Sequence, residues 1–194
     1  MKILFQGDSV TDAGRDRSNP SDMGFGYPKY ASAMIEDAFP DIDFAFVNLG
    51  ISGNRTADLV ERMQSDFIEI QPDIVSVMIG INDVWHHYAF EYVETTDEQF
   101  ESNYRTLLEG LKSRTTARIL MIQPFLLETV DPAKQVLCEE LVRKQQIIRK
   151  LADEFADVYV PLDEIFDEAL KTQPEPLYYS GDGVHPNANG AAFI

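Results

Sequence analysis

Cysteine, positive charge and long apolar runs are all scarce in this chain, and each shortage removes a class of protein. Cys138 is the single cysteine among 194 residues, so no internal disulfide can staple the fold, and the redox state of the compartment is left undetermined. Lys and Arg number 16 against 33 Asp and Glu, a formal charge of −17. A field of that sign repels phosphate backbones and anionic lipid surfaces, so neither nucleic acid nor membrane is expected as a partner. The acids are scattered through helical segments such as DEQFE and LADEFAD, as on a solvated surface, and do not gather in a tail. No uncharged stretch approaches the roughly twenty residues that a membrane span needs. The apolar run after Met1 and Lys2 ends at Phe5, far short of a secretory leader. A soluble, cytoplasmic protein is therefore expected. Repeats, low-complexity tracts and linker-like stretches are missing as well, which leaves one domain over residues 1–194. A chain of that length can bury about 70% of its unfolded surface and needs no staples.

What the chain does have is an alternation. Short β-prone apolar runs recur at Lys2 to Gln6, Phe44 to Leu49, Ile74 to Ile79, Ile119 to Ile122 and Val158 to Val160. They are nearly continuous in apolar character, as strands buried on both faces of a parallel sheet are. Helical patterns lie between them. Pro28 suits a first helical turn, with Ala31, Met34, Ile35 and Ala38 at helical spacing after it. Thr96 and Gln99 have the spacing of a capping box, and Phe100, Tyr104, Leu107, Leu108 and Leu111 then form one stripe. A further stripe runs from Leu137 through Leu141, Ile148 and Leu151 to Phe155, with Cys138 beside it as a small filler. Strands alternating with helices predict a three-layer α/β/α domain on a five-stranded parallel sheet, whose ligand crevice lies at the carboxyl ends of the strands.

Polar residues collect at those ends. Gly7, Asp8 and Ser9 follow the first strand, GISGN (Gly50 to Asn54) the second and GIND (Gly80 to Asp83) the third. A fourth block, SGDGVHPNANG from Ser180 to Gly190, holds His185 with Asp182 three residues before it. Covalent ester hydrolysis requires a hydroxyl nucleophile, an imidazole to take its proton, a carboxylate to orient the imidazole, and donors for the oxyanion. Ser9, His185 and Asp182 are candidates for the first three parts. The backbone N–H groups of Ser9 and Gly53 and the side-chain amide of Asn82 are candidates for the last. Taken one at a time, each block also reads as an ordinary turn, Asx turn or solvated ion pair.

Four such blocks in this order resemble the GDSL esterases, also called SGNH hydrolases, over nearly the whole chain. The resemblance places Ser9 at the nucleophile, Gly53 and Asn82 at the oxyanion donors, and His185 at the base with Asp182 as its partner. It implies a flavodoxin-like sheet of strand order 2-1-3-4-5 and no metal or organic cofactor. GYPKY, NLGISGNRTADL, PDIVSVMIGINDVWHHY and DGVHPNANG look most like bacterial esterases that deacetylate xylan or related sugars. That narrower likeness implies an acyl-ester substrate, small or oligosaccharide, with Trp85 lining its pocket; an aromatic packed into the core is the competing reading. The family usually continues into a further helix after its His-Pro block, of which GAAFI looks like the first turn. Loss of that helix would bare apolar sheet surface, so a shortened chain, or a partner subunit in a homo-oligomer, is expected there.

The remaining polar residues carry less. Asp8 and Asp12 flank the nucleophile; caps and turn bonds compete there with direct chemistry, and Asp8 is kept with Trp85 as a candidate substrate contact. His86 and His87 are adjacent and would point apart on an extended strand, without a third ligand for zinc. Ser52 is a rival nucleophile, but its Gly-rich turn lacks the G-x-S-x-G elbow. Three other functions stand against the short-acyl esterase: a lysophospholipase, thioesterase or arylesterase of the same family; a flavodoxin-like nucleotide-binding module using GDSVTDAG; and a non-catalytic sugar-binding protein. Asp8 and Asp12 would set negative charge against a nucleotide's phosphates.

Overall fold

A computed structural model describes residues 1–88, 93–127 and 132–194, the last of these without the side chains of 132–136. Five strands make one parallel sheet in the order β2-β1-β3-β4-β5: β1 (Lys2–Gly7), β2 (Ala45–Asn48), β3 (Ile74–Met78), β4 (Arg118–Ile122) and β5 (Val158–Val160). The order is the one the family resemblance implied. The expected strands are all present. The second loses Phe44 and Leu49 and the third loses Ile79, while the first and fourth each gain a residue.

Eight α-helices accompany the sheet among the described residues: α1 (Ser9–Asp12), α2 (Tyr27–Ala38), α3 (Thr56–Glu61), α4 (Ile81–Tyr88), α5 (Asp97–Arg114), α6 (Pro132–Phe155), α7 (Leu162–Leu170) and α8 (Ala188–Phe193). Successive side chains on a strand face opposite sides, and the two faces have separate cores. Leu4, Val75, Val77, Ile79, Ile119 and Met121 pack with Leu59, Phe67 and the α5 stripe, joined by Ile148 and Leu151 of α6. Ile3, Phe5, Met78 and Ile122 pack on the other side with Tyr27, Leu162, Phe166 and Tyr179. This double burial explains why the strands read as continuous apolar runs.

The α5 capping box forms as its spacing predicts, with Gln99 N donating to Thr96 Oγ1 at 3.2 Å and Thr96 N donating to Gln99 Oε1 at 3.0 Å. The GIND block, placed after the third strand as expected, is helical: α4 starts at Ile81, close behind β3, and takes Asn82 and Asp83 into its first turn. His86 and His87 consequently lie on that helix and not on an extended strand, and His87 Nδ1 meets Glu140 Oε2 of α6 at 2.9 Å.

The final helix is short. Asn187 caps it, its side-chain oxygen accepting from Asn189 N at 2.9 Å and Gly190 N at 3.2 Å, and it ends at Phe193. Beside it an apolar groove of about 380 Å³ opens over Ile3, Phe5, Ile35, Ile122 and Val160, with Ile194 at its edge.

Candidate active site

The turn that presents Ser9, the candidate nucleophile, is built by a change of backbone direction with no room for a side chain. A Cβ on Gly7 would sit 2.3 Å from both Met78 O and Thr11 Oγ1, so only glycine fits where β1 passes into α1. Asp8 caps that helix, its Oδ1 accepting from Val10 N at 3.0 Å. Ser9 is the first helical residue and remains partly exposed at the carboxyl rim of the sheet.

The loop of residues 180–186 brings the imidazole to the same rim. Ser180 and Pro186 form an antiparallel bridge across it. The Ser180 hydroxyl donates to His185 O at 2.7 Å and accepts from Gly183 N at 2.9 Å. Val184 anchors the loop from below, packed with Ile81 and Val84 of α4 and Leu137 and Leu141 of α6. Leu127 N donates to Gly183 O at 2.9 Å from the other side.

Ser9 Oγ lies 2.9 Å from His185 Nε2, and His185 Nδ1 lies 2.8 Å from Asp182 Oδ2. A carboxylate can only accept, so Nδ1 carries the proton, and in the neutral ring Nε2 presents a lone pair to the Ser9 hydroxyl. Asp182 also accepts at Oδ1 from His185 N at 2.8 Å and Val184 N at 3.0 Å. Partial burial pushes its carboxyl up, but these bonds outweigh it and hold the group well below the ordinary carboxylate range. Asp182 is thus an anion throughout the range in which His185 can be neutral.

The other two blocks meet beside Ser9. Residues 51–54 form a tight turn, with Asn54 N donating to Ile51 O at 3.1 Å and Gly53 at φ +86°, the left-handed third position that favours glycine in a type II turn. Leu49 N and Ile51 N donate to Phe5 O and Gly7 O at 3.0 and 3.1 Å, which draws this loop along the end of β1. Asn82 Nδ2 donates to Asn54 O at 3.0 Å. Its neighbour Asp83 ties α4 to α3 by accepting from Thr56 N at 3.0 Å and Thr56 Oγ1 at 2.7 Å. Among the described residues, the N–H groups of Ser9 and Gly53 have no acceptor.

Trp85, on α4, faces the imidazole, its ring centroid 5.8 Å from that of His185. Asp8 does not share that position. It is 1% exposed beneath Ser9, so its carboxylate is a buried cap and the reading of it as a substrate contact is corrected. Burial pushes this carboxyl up to about 7, with Asp83 adding to the rise, while the Val10 bond and nearby His185 pull it back. Ser52 has no imidazole beside it; its hydroxyl donates to Asp12 Oδ2 at 2.7 Å. Sequence reasoning missed Arg62, whose Nε donates to Asn54 Oδ1 at 2.9 Å and whose Nη1 meets Asp66 Oδ2 at 2.7 Å. Arg62 lies three residues beyond NLGISGNRTADL, and nothing in its local spacing marks it.

Fold and comparisons together define a carboxylic ester hydrolase on a doubly wound parallel sheet. The chain belongs to the GDSL-like Lipase/Acylhydrolase family, whose model matches residues 5–193. It is 34% identical to the acetylxylan esterase of Geobacillus stearothermophilus, covering all of this chain and 90% of that protein. A crystal structure described as a GDSL-like lipase from Parabacteroides merdae matches with a TM-score of 0.93 at 34% identity, over 99% of this chain and 90% of the other. The structure of Axe2, an acetylxylan esterase from Geobacillus stearothermophilus, matches at 0.86 and 32% identity, over 99% and 89%. Variants of Axe2 with a serine, an aspartate or a histidine replaced by alanine are described as catalytic mutants.

Proposed function

We propose that the protein is a serine esterase that removes acetyl groups from O-acetylated carbohydrates, xylan-type oligosaccharides foremost. The observation that carries this reading is the unbroken relay from Ser9 Oγ through His185 to Asp182, with contacts of 2.9 and 2.8 Å, in a chain 34% identical to an acetylxylan esterase. In Axe2 the aspartate and histidine of the catalytic mutants are three positions apart, as Asp182 and His185 are here.

The reaction runs in two halves. Ser9 Oγ attacks the acetyl carbonyl carbon while His185 Nε2 takes the hydroxyl proton. The carbonyl electron pair moves to oxygen, and that oxyanion is met by the N–H groups of Ser9 and Gly53 and by Asn82 Nδ2. Collapse breaks the bond to the sugar oxygen, which leaves with the proton from His185, and an acetyl ester remains on Ser9. Water, deprotonated by His185, then attacks the acyl carbon; acetate departs and Ser9 recovers its proton. Asp182 stabilises the transient imidazolium without taking its proton.

An open rim suits a bulky substrate. The His185 side chain is 45% exposed, so an ester on an oligosaccharide can reach Ser9 without a lid opening, and Trp85 offers an aromatic face beside it for a sugar ring. Fluorophosphonate labelling with peptide mapping is expected to mark Ser9, and Ser9→Ala to abolish acetate release from acetylated xylo-oligosaccharides. More efficient cleavage of octanoyl than of acetyl esters would defeat the short-acyl assignment.

A further inference from the structure

The loop that carries Gly53 is clamped at every second residue, and the clamps come from the nucleophile's own helix and its neighbours. Arg15 Nε donates to Gly50 O at 3.0 Å. Asp12 Oδ2 accepts from Ser52 N at 2.9 Å and from Ser52 Oγ at 2.7 Å. Asn54 is held at its carbonyl by Asn82 and at its side chain by Arg62. Asp12 is the central member. It lies three residues after Ser9 on α1, so the two share one helical face, and its side chain is 3% exposed.

We propose that Asp12 is a positioning residue: by gripping both polar groups of Ser52, it aims the adjoining Gly53 N–H at the oxyanion before substrate arrives. Glycine at 53 leaves the turn conformationally loose, and an oxyanion donor is effective only if its direction is fixed in advance. Asp12 supplies that fixity and ties it to the helix that presents the nucleophile, so attacking atom and donor keep a constant separation. The grip persists over the working pH range. Burial opposes ionisation, but bonds from Arg17 and Ser52 outweigh it and lower the carboxyl below its ordinary range. Arg17 completes the arrangement from the solvent side, its Nε 3.2 Å from the same Asp12 oxygen. The inference rests on the reading of Ser9 as nucleophile and Gly53 as oxyanion donor.

The test compares wild type, Asp12→Asn, Asp12→Ala, Ser52→Ala and Ser9→Ala on p-nitrophenyl acetate. kcat is expressed per serine titrated by fluorophosphonate, and affinity for methylboronic acid is measured alongside as a tetrahedral mimic. Asp12→Ala is expected to lose about tenfold to a hundredfold in kcat, with KM changed by less than about threefold and boronate affinity falling in parallel. Asp12→Asn keeps an acceptor for Ser52 and should fall between it and wild type; Ser52→Ala keeps the N–H bond and should lose least. A merely structural role would lower the titratable fraction and the melting temperature while leaving kcat per titrated serine unchanged, and that result overturns the proposal. If Asp12→Ala does not fold, Ser52→Ala, at an exposed residue, decides by the same criterion. Failure of the underlying reading is visible separately: Ser9→Ala would stay active or wild type would escape labelling.

Discussion

The Asn82 side chain has two amide hydrogens and a use for each. One holds Asn54 O at 3.0 Å; in the proposed mechanism the other meets the oxyanion. Asn82→Ala is therefore expected to lower kcat about 100- to 1000-fold with little change in KM, the range for removal of one such donor. Steady-state kinetics on p-nitrophenyl acetate check it, and a loss below about tenfold would take Asn82 out of the oxyanion site. In the proposed mechanism His185 sets the acid limb of the rate profile, because an imidazolium cannot accept the Ser9 proton. Activity should fall as the medium is made acidic, and a rate that is flat to about pH 4 contradicts that role. At this scale the sequence was legible where contact follows from short spacing: Asp182 and His185 lie three apart and meet at 2.8 Å. It was misleading where burial decides. Asp8 adjoins Ser9, the candidate nucleophile, and only the structure reveals that its carboxylate turns inward to Val10 N. The Asp12 and Ser52 contact joins residues 40 positions apart, beyond any local signal.

Elements were readable in proportion to their length and periodicity. The α5 stripe and its capping box are both where spacing put them, because five apolar residues at helical intervals and a Thr/Gln pair are strong local signals. By contrast, α3 has six residues, too few for a period to emerge, and α4 begins on polar residues without an intervening loop. Its polar start is what made it look like a turn, yet that start is how Asn82 reaches Asn54 and Asp83 reaches Thr56. The capping box gives the element its own test. Thr96→Ala removes the acceptor for Gln99 N, which should cost about 1 kcal/mol of stability. Urea unfolding measures the loss, and kcat should be unchanged, since α5 positions the core against α6 and α3 and Thr96 touches none of the candidate catalytic residues.

The whole molecule places two buried carboxylates, Asp8 and Asp83, beneath a rim that must also carry the Asp182 anion, in a chain of charge −17. The alternation of strands and helices announced the layers, while the strand order came from the family resemblance, since apolar runs alone do not say which strands are neighbours. What the alternation could not convey is the electrostatic strain of this centre. Burial raises the Asp8 carboxyl to about 7 and the Asp83 carboxyl to about 6, from 3.8 in the unfolded chain. A carboxyl whose folded pKa is raised binds more protons in the folded state, so stability falls as pH rises between the unfolded and folded values and is flat above them. Between about pH 4 and 7 these two groups therefore make the protein less stable as it becomes more alkaline. Asp12, Asp97 and Asp157 act in the opposite sense: their carboxyls are lowered, and the stability they contribute is lost as pH falls below about 4. Asp8→Asn isolates the first effect, because asparagine retains the oxygen that caps Val10 and removes only the buried charge. The variant should exceed wild type at pH 8 by an amount on the order of 2–4 kcal/mol at most, three pKa units at 1.36 kcal/mol each being the ceiling. The difference should shrink towards pH 4, where folded Asp8 is protonated and the unfolded group is only about half ionised. Urea unfolding at pH 4, 6 and 8 measures the difference, and a gap that stays constant across the three would mean that Asp8 ionises as readily in the folded protein as in the unfolded chain, so that its burial does not raise its carboxyl.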